Sequence, residues 1–381
     1  MHRLSLSSLA IVAALVAATG CGPKSSTVIV EATPAPVGEA AANDAADRGE
    51  ARPARSTGGW SVDAREHVDL WLHGYAMLMD DPFLVPYFAP GYRAAMTRLR
   101  TGVGSALDAN RDRLAQRLTD HPNLGSAQFL ALYFASWDDL KRGTERFLRD
   151  QGDVRAARSD AELRMYATLG TYFPTAADRD WLQLLVRALD DERGKFYRAY
   201  WMQQGQLRAS VRGRVEALWA GAPGAALQRF MRAAMQREGY VLLSLPLGGE
   251  GRTLAVGRSD NFVAVPFPAA GEDPREALFV LAHEVVGSTA NAAVRDNASA
   301  ADQRSGDAAK WSTLAAVRGG AMLLSRVAPD LVDGYVRYYL RLARVADVDG
   351  DPQGRFAATF PLPDRIRDAL QSEIDAVLGG I

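Results

Sequence analysis

The stretch ALFVLAHEVVGSTANAAVRDN, residues 277–297, decides how the rest of the chain is read. It sets His283 and Glu284 side by side inside a strongly apolar run. Leu278, Leu281 and Val285 form one stripe at helical spacing; Phe279, Ala282 and Val286 form a second beside it. A helix apolar over so much of its circumference is buried. Its start is marked by Asp273 as N-cap, Pro274 at the first helical position and Glu276 placed to reach back in a capping box. A carboxylate buried at Glu284 costs roughly several kcal/mol unless something pairs with it.

Upstream, residues 241–268 read VLLSLPLGGEGRTLAVGRSDNFVAVPFP, two β-like runs around Gly-rich and Ser-Asp-Asn turns. Gly248-Gly249-Glu250-Gly251 reads as a hairpin turn. A small sheet followed by an apolar helix with His-Glu resembles the active-site region of zinc metallopeptidases of the HExxH type, especially the gluzincins. The resemblance covers roughly residues 240–345. It implies a sheet ahead of the helix, with Glu284 as the catalytic general base and His283 as a zinc ligand if metal is bound.

The residues depart from that pattern where the chemistry is done. Two imidazoles at i and i+4 must face one metal. Gly287 holds the second position, and no His follows it in the chain. The family's third ligand is a Glu on a later helix. The later helix here, residues 311–326, reads WSTLAAVRGGAMLLSR, without an acidic residue. Arg318 stands in the ligand's place, flanked by residues small or apolar enough to let it approach. These substitutions predict that Arg318 pairs with Glu284, directly or through His283, in the space of the metal, giving a candidate site of His283, Glu284, Gly287 and Arg318. Gly319-Gly320-Ala321 predict close packing of this helix against the His-Glu helix.

The chain has 381 residues, 48% hydrophobic, with formal net charge −1, enough for one large domain or two smaller ones. The balanced charge argues against nucleic acid as a partner. His2 and Arg3 precede an apolar run, residues 4–18, shorter than a transmembrane span needs. Ala18-Thr19-Gly20-Cys21 follows, and Cys21 is the only cysteine. This resembles the bacterial lipoprotein signal, implying lipidation at Cys21 and a membrane anchor at the cell envelope. Gly22 after the Cys, where Asp is absent, leans towards the outer membrane, facing the periplasm. Residues 22–59, rich in Ser, Thr, Pro, Ala and acids, read as a tether.

From residue 60 to about 239 the pattern is helical. Helices are expected at 61–79, 91–118, 126–149, 160–172, 176–202, 206–220 and 224–238. Ser159 with Glu162 reads as a capping box and Thr175 as a start signal. Phe129, Tyr133 and Trp137 share a helical spacing that reads as core. His67 and His73 lie six apart, about 120° from a common face, and read as structural; Glu66 and Asp69 beside them read as a solvated face. The DVDGDPQG run at 347–354 has Ala358 where an EF-hand needs Glu and reads as an acidic turn. There is no GxSxG, P-loop or CxxC, and no GxGxxG in a βαβ setting.

The expected fold is mainly α (α+β). It comprises a signal peptide (1–20), a tether (21–59), a helical region (60–239), and a small sheet or hairpin with the His-Glu helix and C-terminal helices (240–381). The leading functional expectation is a membrane-anchored envelope lipoprotein with a metallopeptidase-like but non-catalytic domain, without a cofactor, that binds or supports a protein or peptide of unknown identity. The alternatives are a zinc hydrolase with atypical ligands, among them His67 or His73, and a helical lipoprotein unrelated to peptidases.

Overall fold

Residues 239–266 alternate between two apolar faces, and that alternation sets the architecture. In strand β3 (Gly239–Ser244), Val241 and Leu243 enter one hydrophobic core while Leu242 enters another. In β5 (Asn261–Pro266), Val263 and Val265 join the first core and Ala264 the second. The sheet is therefore buried on both faces, with helices covering each. In this computed structural model the described residues are 28–29, 59–346 and 350–379. The signal segment, Cys21, most of the tether, Asp347 and Asp349 lie outside them.

The sheet is small and mixed within a mainly helical chain. Its order is β1-β4-β5-β3-β2, with β1 at Val28–Ile29, β2 at Trp60–Asp63 and β4 at Arg252–Ala255. Strands β2, β3 and β5 are parallel, and β4 runs antiparallel to β5. This order corrects the turn expected at Gly248-Gly249-Glu250-Gly251, because β5 lies between β3 and β4. The four residues are buried and cross from one strand to the other. The hairpin is the Ser-Asp-Asn turn between β4 and β5, with Asp260 at φ 60°.

The His-Glu stretch forms Arg275–Val285, then Gly287–Asn297, with a break at Val286. Gly287, a poor helix former, starts the second segment. Asp273 accepts the Arg275 backbone N–H at 3.0 Å, while Glu276 pairs with Arg341 at 2.7 Å instead of completing a capping box. These two segments are long and apolar enough together to cross a membrane, but 83% of their apolar stretch is buried inside the fold, which makes it a core element. The helix Asp307–Val327 packs against it, and a Cβ on Gly319 would lie 3.1 Å from Val286, so the small residue there permits the close approach.

Other expected helices are shortened for identifiable reasons. Trp60–Asp63 is strand, and the first helix begins at Glu66. The run expected at 91–118 breaks after Leu99, where Gly102 and Gly104 take positive φ. Residues Pro122–Tyr133 form a 3-10 segment, and Ser136 caps a separate helix, Trp137–Arg149. Phe129, Tyr133 and Trp137 thus do not share a helix, although Phe129 and Trp137 are buried in the same core. Thr175 caps its helix in a full capping box with Asp178. Ser159 accepts from the Glu162 N–H, but Glu162 takes the Arg158 N–H instead of reaching Ser159.

Candidate functional site: a buried His-Glu pair clasped by a strand

Glu284 is buried on the His-Glu helix, on the side facing β4. Its carboxylate accepts the Gly251 backbone N–H at 2.9 Å and the Thr253 hydroxyl at 2.7 Å. His283 Nδ1 lies 3.0 Å from the same carboxylate. Gly251 permits this approach: a Cβ there would come within 2.5 Å of both Glu284 Cγ and the Ala264 carbonyl oxygen. The helix and the strand are thereby joined through one side chain.

Tyrosines from Val332–Leu342 close the other side. The Tyr339 ring stacks on His283 with centroids 5.7 Å apart, and its hydroxyl donates to the Gly249 carbonyl at 3.0 Å. Arg252 is buried above the strand, its guanidinium 4.6 Å from the centre of the Tyr87 ring and its Nε donating to Gln128 at 3.1 Å. Residues 85–90 lie over the Gly-rich segment, with Gly248 and Gly249 N–H groups donating to the Tyr87 and Pro86 carbonyls, each at 2.8 Å.

Burial opposes the charged forms of both His283 and Glu284, but their mutual hydrogen bond and charge outweigh it. His283 titrates above its ordinary value, helped by Glu250, and Glu284 below its own, helped by Thr253 and Arg252. Glu250 is buried too, and burial pushes its carboxyl up to about 7, against the pull of His283 and Arg252. It takes no hydrogen bond from a described residue. His283 Nε2 is buried without a hydrogen-bond partner among the described residues.

The structure brings His283 and Glu284 together but does not bring Arg318 to them. Arg318 is half-buried, its guanidinium 5.5 Å from the centre of the Phe356 ring. The positive contribution at Glu284 comes from His283 and Arg252. This corrects the expected Arg318–Glu284 pair. A half-exposed guanidinium over a ring keeps its head near water, whereas burying it beside Glu284 would desolvate a second ion. Gly287 is buried at the start of the following helical segment.

His67 is held by the Phe134 carbonyl at 2.9 Å and pushed down to about 4 by burial. His73 meets the Tyr92 hydroxyl at 3.0 Å and Glu192 at 3.4 Å. Asp69 is not on a solvated face: it is buried, accepting from Trp201 Nε1 at 2.9 Å and the Leu245 N–H at 3.2 Å, because its side of the helix faces the end of β3. Glu66 pairs with Arg193 at 2.8 Å.

The donor set does not fit a zinc centre of the HExxH kind. One imidazole is present, Gly287 stands where the second belongs, and the Glu284 carboxylate is already engaged. Among the described residues no three His, Cys, Asp or Glu side chains group as metal ligands. Sequence reading missed Gly251, Thr253, Glu250, Arg252 and Tyr339; their signal was a Glu and an Arg inside an otherwise apolar and Gly-rich run. No family model, curated protein or solved structure matches this chain.

Proposed function

We propose that the protein is a lipid-anchored envelope protein whose folded part is metallopeptidase-like and non-catalytic, serving to bind or support a protein or peptide partner. The observation that carries this reading is the Glu284 clasp. A general base needs a lone pair free for a water or a metal ligand. Here Gly251, Thr253 and His283 take three of the roughly four acceptor positions of the carboxylate and hold it to the fold. The antiparallel strand β4 beside the His-Glu helix supports the likeness to the metallopeptidase arrangement.

A second reading, a hydrolase with atypical ligands, rests on the unpartnered His283 Nε2 and on the Glu250 carboxyl nearby. The metal content of the purified protein separates the two readings. The anchor is tested by Cys21→Ser, which moves the protein to the soluble fraction or leaves it unprocessed. Normal mature size with unchanged membrane association would remove the lipoprotein reading.

A further inference from the structure

Gly59, which leads into β2, lies at one end of the sheet, where its carbonyl accepts the Gly239 N–H at 3.3 Å. That end is stiffly built. Buried Asn261 accepts the Val256 and Gly257 N–H groups at 2.9 and 3.1 Å and donates to the Glu238 carbonyl at 2.8 Å. The Arg237 and Glu238 N–H groups both donate to the Arg258 carbonyl, at 3.2 and 3.0 Å. Trp60 Nε1 donates to the Gln236 carbonyl at 3.1 Å.

From this frame two large apolar side chains project into solvent: Met235, 51% exposed, and Val256, 48% exposed. Around them stand Arg232, Arg237 and Arg258, all exposed, with no acidic side chain paired to them among the described residues. Among the described residues Glu238 and Asp260 are the acids of the same end, and they leave an excess of positive charge there. Exposed apolar groups ringed by guanidinium groups suit the boundary between phospholipid headgroups and acyl chains. Arg stems add apolar length beneath their charges. An anchor at Cys21, seven residues before Val28 (28 − 21), which pairs with Leu254 two residues from Val256, would keep this edge of the sheet within reach of the bilayer.

We propose that Arg232, Met235, Arg237, Val256 and Arg258 form a membrane-facing surface that docks on anionic phospholipid. The proposal rests on the lipid-anchor reading for its orientation.

The test uses the full chain purified with its native processing and reconstituted on vesicles of phosphatidylglycerol with phosphatidylcholine, or of phosphatidylcholine alone. Cys21 is the only native cysteine, so acylation leaves the thiol of a Val256→Cys variant unique. Mass spectrometry checks the acylation. An environment-sensitive fluorophore is attached there, at Met235→Cys as a second position, and at Leu163→Cys, 45% exposed in the helical half, as the reference. Brominated lipid quenches the labels at 256 and 235 several-fold more than the label at 163, and only on anionic vesicles. Arg232→Ala, Arg237→Ala and Arg258→Ala each weaken the contact about fivefold. Equal quenching at all positions on vesicles that carry the protein would overturn the docking surface and leave the anchor standing. Selective quenching without acylation at Cys21 would support the surface and remove the anchor. Failure to bind either vesicle would overturn both.

Discussion

The Glu250 carboxyl is buried without a hydrogen-bonding partner among the described residues, and it titrates near neutrality. Its carboxyl is raised from 4.5 to about 7, so the folded chain holds a proton there that the unfolded chain has released. Its contribution to stability is therefore complete below about pH 4.5 and is lost as pH rises towards 7, a change of about 3 kcal/mol. Glu250→Gln stays neutral throughout and escapes this loss. Urea denaturation at pH 5 and pH 8 should show the variant gaining on the wild type at the higher pH. Parallel behaviour of the two proteins would contradict the assignment. Asp69, also raised to about 7, keeps some slope in the variant, so the difference between the proteins is the quantity to read. At this scale the sequence disclosed His283 and Glu284, because two polar residues stand out in an apolar helix. It did not disclose their partners. Gly251 and Thr253 lie 33 and 31 residues from Glu284, and neither is a residue type that announces carboxylate binding. Arg318 was misplaced because a cation in a ligand position is a matter of spacing, while the rotation of its helix is set by Leu323, Leu324 and Val317 entering the core.

The clasp between β4 and the His-Glu helix is the decisive link among the elements. Thr253→Val keeps the shape but strands Glu284 Oε2, at a cost of about 1–3 kcal/mol. Glu284→Ala removes the acceptor for three groups at once and costs more, with His283 left unpaired. Once Glu284 is gone, Thr253→Val has little left to break, so the double variant is less damaged than the sum of the single ones. Additivity within about 0.5 kcal/mol in urea denaturation would contradict the clasp. The elements themselves were legible unevenly. The His-Glu helix follows from periodicity, and the helices begun by Ser159 and Thr175 from their local caps. The sheet order does not, since a Gly-rich stretch reads as a turn whether it reverses the chain or crosses beneath a neighbour. Here the glycines serve contact: a Cβ on Gly248 would come within 2.5 Å of the Phe88 carbonyl oxygen.

Across the whole molecule, the sheet separates two cores and ties together regions distant in sequence. The boundary near residue 239 marks a change in pattern, but the packing crosses it. Trp60, Val211, Trp219 and Phe230 join the core of the C-terminal helices, while Leu242, Leu247 and Leu254 join that of the N-terminal ones. Mainly α with a small sheet was legible from composition and periodicity. The interleaving was not, because parallel strands such as β2 and β3 pair across 179 residues (239 − 60) without a local signal. In the proposed function Glu284 holds strand to helix and does not serve a metal. The most direct test of that claim is the zinc content of the purified full-length protein at neutral pH, with and without His283→Ala. Zinc well below stoichiometric in both proteins is the predicted result; tightly bound stoichiometric zinc in the wild type, lost in His283→Ala, would contradict the claim.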